Sequence, residues 1–288
     1  MSLLSMLQDA AREIPITVPS VIVSANEQDT QRLLAFAHRE GKELRSTYNW
    51  PQLQKEGTIT TVSGQASYAL PGDFERFIFN TEWDRTSHLE ILGPQSPQAW
   101  QFRKSGMVSS SPRYRFRVKG VADKRVFIDP TPSSSGSTLV FEYISTNWIL
   151  PITWTAGYTF LAGKYCSYNG NIYVTTLGGV SGSTPPTHTT GTASDGGISW
   201  TAFEGEYSKF LADTDRPVIN EWIVGLGVQW RYLRANNLNY ETRQAEWSAA
   251  LKREVVGLTG APVLSYGGQY VSTLIGAPNI PDTGYGEV

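Results

Sequence analysis

The chain has 288 residues and a net charge of −2, so its bulk electrostatics exclude the broad polycationic binding of nucleic acid or anionic lipid. Charged residues make up 17% where roughly a quarter is usual, aromatics reach 12%, and 27 glycines and 16 prolines suit a β-rich, turn-rich protein. One cysteine, Cys166, excludes an internal disulfide framework or a multi-thiolate zinc site and fits synthesis in a reducing compartment.

Met1 to Leu7 is apolar without a basic start, and charged residues follow at once, which predicts a short amphipathic helix and no secretion signal. No apolar run approaches the roughly 18 to 20 residues of a membrane span. Ser24 stands three residues before Glu27, a capping-box spacing, and Leu33, Leu34, Phe36, Ala37 and Leu44 predict a helix from about Asn26 to Arg45. It gives way at Trp50-Pro51, because the residue before proline is pushed out of the α region.

From Glu56 the apolar period becomes two. Thr58 to Val62 and Ser67 to Leu70 read as a hairpin joined at Ser63-Gly64-Gln65, followed by strands over Phe74 to Trp83, Tyr114 to Val118, Val126 to Asp129 and Thr138 to Ile144. Between Ile152 and Phe203 only Lys164 and Asp195 are charged, which marks a small inserted β module. Asp213 to Pro217 reads as a helix start. Ile219, Trp222, Ile223, Leu226, Trp230 and Leu233 stack on one helical face, and Trp247, Leu251 and Val255 resume the stripe after a bend at Asn236 to Asn239. From Gly257 prolines and glycines without periodicity predict an extended arm that a partner orders. The expected class is α+β. A helical bundle (1–55 with 207–257) accompanies a sandwich or barrel-like β domain (56–150), the inserted module (151–206) and the arm (258–288).

Candidate chemistry is sparse. His38, His88 and His188 fall in three separate segments, and Cys166 in a strand-like stretch reads as a packed thiol. The acid pairs Asp213/Asp215 and Glu204/Glu206 could in principle serve glycoside hydrolysis, but read as helix cap and solvated linker. No Walker loop, dinucleotide fingerprint, HExxH or EF-hand loop occurs. No enzyme, metal or cofactor is expected.

Arg103 to Arg125 holds eight cations against the single acid Asp123. Alternation in a strand sets Arg113, Arg115 and Arg117, with Lys119, on one face, and Lys124 and Arg125 follow. This is a solvated sheet face, or a surface that meets phosphates or a neighbouring subunit's acids. In the inserted module, Trp154, Tyr158, Tyr165, Tyr168, Tyr173 and Trp200 are more rings than so small a core needs. Exposed rings could stack on sugars or pack on another subunit.

An ordered set of features resembles a known family. It comprises Lys42-Glu43-Leu44-Arg45, Trp50-Pro51-Gln52-Leu53, Tyr68-Ala69-Leu70-Pro71-Gly72-Asp73-Phe74 and Thr81-Glu82-Trp83-Asp84-Arg85. Gly93-Pro94 with Trp100, the strand Arg113 to Val118, Ile128-Asp129-Pro130-Thr131-Pro132 and Phe141-Glu142-Tyr143 complete it. The set is similar to head-to-tail adaptor proteins of tailed bacteriophages, of the tail tubular protein A or tail accessory factor type. Trp154 to Tyr158, Tyr168 to Tyr173 and Gly182 to Trp200 resemble small chitin-binding-type carbohydrate modules.

The adaptor resemblance implies a virion structural protein at the head–tail junction, in a ring expected to hold twelve copies. It would dock under the portal protein, extend the channel for double-stranded DNA and seat the next tail or nozzle protein, with no membrane partner. Ring contacts would fall on Trp222, Leu226, Trp230, Leu233 and Trp247. Portal docking would fall on the arm, at Tyr266, Tyr270, Leu274, Ile275 and Ile280. A glycan-binding tail or receptor-recognition protein is the alternative, and a peptidoglycan-cleaving tail protein a further one.

Overall fold

The computed structural model describes residues 1–105, 113–120 and 124–258, so the predicted arm and its five residues, Tyr266, Tyr270, Leu274, Ile275 and Ile280, lie outside the described residues. In chain order, helices α1 (Leu3–Arg12) and α2 (Gln28–Thr47) precede strands β1 (Gln54–Thr60), β2 (Ser67–Ala69), β3 (Phe74–Phe77), β4 (Trp83–Asp84) and β5 (Leu89–Glu90). Helix α3 (Pro97–Ser105) leads to β6 (Arg115–Lys119), β7 (Arg125–Asp129), β8 (Thr138–Ser145) and β9 (Ile149–Leu150). The module carries β10 (Thr159–Phe160), β11 (Tyr165–Tyr168), β12 (Asn171–Thr175), β13 (Gly179–Val180), β14 (Thr192–Asp195) and β15 (Ile198–Ala202). Strand β16 (Arg216–Pro217) and helices α4 (Glu221–Ala235) and α5 (Glu241–Leu258) follow. The fold is mixed α and β, with antiparallel sheets and no closed barrel among the described residues. The described chain forms two compact units, one of residues 1–54 with 145–258 and one of residues 55–144.

In the first unit, α4 packs against α1, α2 and α5. Every residue from Ile223 to Tyr232 is buried, so α4 is a central helix enclosed on all sides. The close approach of α2 depends on Gly227, where an added Cβ would lie 2.2 Å from the Glu40 carboxyl carbon. Helix α1 is amphipathic as predicted, with Leu3, Met6, Leu7, Ala10 and Ala11 inward and Ser2 accepting from the Ser5 amide at 3.2 Å.

Two local expectations are corrected in this unit. The N-cap of α2 is Glu27, so Ser24 closes no capping box; the Glu27 carboxylate instead accepts from Thr30 Oγ1 at 3.1 Å. Asp213 to Pro217 starts no helix, because Arg216–Pro217 pairs as β16 with β9 and the cap of α4 is Asn220, whose side chain accepts from the Trp222 amide at 3.0 Å. Asp213 accepts from the Ile22 and Val23 amides and pins the chain ahead of α2.

In the second unit, β1, β3, β4, β5 and β8 form one sheet and β2, β7 and β6 another. The expected hairpin is therefore absent. Its two strands go to different sheets, because β8 and β7, distant in sequence, supply their partners. The predicted strand Phe74 to Trp83 is likewise two, interrupted where Asn80 takes a positive φ of 65°. Ile59, Phe141 and Tyr143 from one sheet share a core with Tyr68, Phe116, Val126 and Ile128 from the other. Inside it Tyr143 Oη donates to Asp73 at 2.9 Å, and Lys55 Nζ meets the other carboxylate oxygen at 2.8 Å.

Candidate functional site

Strand β6 alternates as its sequence dictates. Phe116 is 3% exposed in the core, with Tyr114 and Val118 packed beside it, which turns Arg115, Arg117 and Lys119 to the opposite face about 7 Å apart. Helix α3, which the sequence reading missed because it buries no residue, adds Arg103 and Lys104. Lys104 Nζ lies 2.5 Å from Asp129, the residue paired with Arg115 across the ladder, so a cation already neutralises the strip's nearest acid. Arg103, Arg115, Arg117 and Lys119 have no carboxylate within ion-pair distance among the described residues. Burial, and then the neighbouring Arg103, holds Arg115 below the ordinary arginine range.

The other predicted members of the strip belong elsewhere. Arg113 is buried and faces Glu90 at 3.8 Å. Arg125 donates to the Ser67 carbonyl at 3.2 Å. Lys124 lies over the Phe74 ring, 5.6 Å from its centroid, and donates to the Phe74 carbonyl. These three cations hold the sheet together, because each meets a local acceptor or ring that the alternation rule cannot see.

The predicted ring-contact stripe is mostly internal. Leu226 and Trp230 are 4% and 6% exposed within the subunit, so neither offers a face to a neighbour, while Leu233 is half-buried. Trp247 is half-buried and donates through Nε1 to Glu40 at 2.7 Å. Arg231 Nε donates to Glu40 at 2.8 Å and its guanidinium reaches Glu43 at 2.7 Å. Burial nonetheless pushes the Glu40 carboxyl above its usual range against the pull of Arg231. Trp222 is the exception at 53% exposure, the one exposed residue of nine tryptophans.

The module's rings are likewise structural. Tyr173 and Trp200 are fully buried with Phe160, Cys166 and Ile198, so neither can stack on a sugar as their number suggested. Trp154 and Tyr168 pack edge-on beside this core, and the Trp154 Nε1 donates to Asp195 at 2.9 Å. Burial, with Asp195 nearby, pushes the Cys166 thiol up to about 12, which removes it as a nucleophile at neutral pH. Only Tyr158, 45% exposed, shows a ring face.

Tyr158 opens on a groove of about 390 Å³ that the sequence reading did not anticipate, lined also by Leu161, Lys164, Tyr207, Leu211 and Asp215. Asp215 is 1% exposed. Its Oδ2 accepts from the Leu211 amide at 2.7 Å, the Ala212 amide at 3.0 Å and Tyr207 Oη at 3.0 Å. Its Oδ1 accepts no hydrogen bond among the described residues. Leu161 and Leu211 form an apolar rim, 67% and 51% exposed. The acid pair 213/215 was visible in the sequence, but the turn that aims Asp215 inward was not.

Among the described residues no group of three or more His, Cys, Asp or Glu side chains could hold a metal ion, and no helix is long and apolar enough to cross a membrane. Residues 1–160 match the family model described as SU10 adaptor protein. The chain belongs to the SU10 adaptor protein family. It is a structural adaptor protein of a phage virion, and membership implies portal and tail proteins as its neighbours. The match takes in α1, α2 and the whole second unit with its basic strip, and ends at β10. No curated protein matches the chain.

Proposed function

We propose that copies of this adaptor assemble, with twelve expected, into a ring between the portal and the next tail protein, and that the ring extends the channel through which double-stranded DNA passes. The observation that carries the reading is the strip Arg115, Arg117 and Lys119. It is a row of cations on a rigid apolar sheet, in a chain of an adaptor family, with the nearest acid already neutralised by Lys104. Such a row meets either the DNA backbone or acids of a neighbouring subunit. Its small size, in a chain of net charge −2, suits a surface along which DNA must slide.

Reconstitution on a portal tests this. The full chain is expected to join the portal in a stoichiometric ring, and failure to join at any protein ratio would end the reading. Deletion of residues 259–288, which hold Tyr266, Tyr270, Leu274, Ile275 and Ile280, is expected to abolish portal capture. Arg115→Glu is expected to lower genome retention in a manner that depends steeply on salt if phosphates are the partner. A loss indifferent to salt assigns the strip to subunit packing.

A further inference from the structure

The groove beside Tyr158 and the side chain of Trp222 are chemically complementary. The groove has an apolar rim of Leu161 and Leu211, and its lining includes the buried carboxylate of Asp215, whose Oδ1 has no donor among the described residues. Lys164 lines the same groove, so a second ammonium or guanidinium entering it would meet a like charge. The fitting guest is large, apolar and uncharged, and carries one N–H. An indole has those properties. Trp222, in the first turn of α4, exposes about half its surface, and its indole N–H has no acceptor among the described residues.

We propose that Trp222 of one copy seats in the groove of a second copy, its indole N–H donating to Asp215 Oδ1. Exposed apolar surface around a pocket is characteristic of a protein contact, and tryptophan is one of the residues enriched among those that carry most of the binding energy at such contacts. Repeated in one direction from copy to copy, such a contact is heterologous and generates a ring when the rotation between neighbours closes. This rests on the adaptor reading only in that a ring requires such a contact. Neither Trp222 nor Asp215 lies in the segment matched to the family.

Sedimentation of the full chain over a concentration series decides it. The wild type is expected to grow beyond a dimer. Trp222→Ala is expected to weaken association by about 30-fold or more, as loss of an anchor does. Trp222→Phe, which keeps the ring but removes the donor to a charged acceptor, is expected to weaken it by about 10-fold. Leu161→Glu changes an exposed rim position, so the fold is kept while the groove is blocked.

The sharpest result comes from mixing. Trp222→Ala retains a groove and Leu161→Glu retains a tryptophan, so an equimolar mixture is expected to form dimers and nothing larger, although each variant alone stays monomeric. A wild type that remains monomeric, a Trp222→Ala variant that associates like the wild type, or a mixture that fails to pair overturns the proposal. So does retention of a chitin oligosaccharide that is lost in Asp215→Asn while association is unchanged, which would give the groove to a glycan. A chain that pairs this way yet never joins a portal ends the adaptor reading and keeps the contact. Variants that assemble on the portal like the wild type do the reverse.

Discussion

Arginine has opposite uses in the two units. In the first, Arg231 is enclosed in α4, bonded to Glu40 and Glu43 and stacked on Trp230 at 4.4 Å. In the second, Arg117 and Lys119 sit on a sheet whose apolar side carries Phe116 and Val126, and they meet no carboxylate within ion-pair distance among the described residues. A buried cation must be matched inside the subunit, because desolvation is repaid only by complete pairing. A cation on a sheet's outer face is retained without that constraint and stays available to a partner. The interior charges of this protein are matched within the subunit, whereas the strip's cations have no acid partner among the described residues.

The largest effect expected from breaking this division is Arg231→Ala. It leaves the Glu40 carboxylate buried beside Trp247 alone, and removal of one partner of such a pair costs about 3–5 kcal/mol. Chemical denaturation should show a correspondingly lower midpoint with little change in slope. Gly227→Ala follows, because its Cβ would strike the Glu40 side chain and overpacking of this kind costs about 1–3 kcal/mol. A stable Gly227→Ala protein would mean that α2 and α4 can part without loss.

A pH series sharpens the same contrast. His38 accepts a hydrogen bond from the Phe210 amide at 3.0 Å through Nε2 and must be neutral to do so. Burial, and then Lys209, lowers its pKa below the ordinary value of 6.5. The unfolded chain therefore takes up a proton more readily, so the contribution of His38 is complete above pH about 6.5 and is lost as pH falls through the folded pKa. Acid-side destabilisation between pH 7 and 5 should diminish in His38→Asn. A slope unchanged by the substitution assigns the acid sensitivity elsewhere.

The smallest effect on stability is expected at the strip. Arg117→Ala should change it by no more than about 0.5 kcal/mol. The same variant should still reduce the salt slope of DNA association by about 1 if Arg117 meets a phosphate. Loss of stability at this position would place Arg117 with Arg231 as a cation of the interior and dissolve the comparison.

What could be read from the sequence follows from how local each signal is. The β6 alternation, the amphipathic α1 and the break after Ala235 depend on near neighbours, and each was legible within a few residues. Long-range features were not. Nothing near Thr58 or Ser67 specifies that β8 and β7 claim the two strands from far along the chain. The stripe through Leu226 and Trp230 marked one buried face of α4. Gly225, Gly227, Gln229 and Arg231 disguised the other face, which is buried because α2 supplies the carboxylate for Arg231. The count of aromatics in the module misled for a related reason. A sheet of four short strands needs large rings to fill its core, so Tyr173 and Trp200 went inside.

The enclosed thiol of Cys166 has a practical consequence. It is fully buried beside Tyr173, its ionisation pushed far above neutrality, and the chain contains no other sulfhydryl. A maleimide probe at pH 7 should therefore leave the native chain unmodified and react with a single cysteine placed by design on the surface. Fluorophores introduced that way would give distances between neighbouring copies in an intact phage neck, without any need to remove the natural residue first.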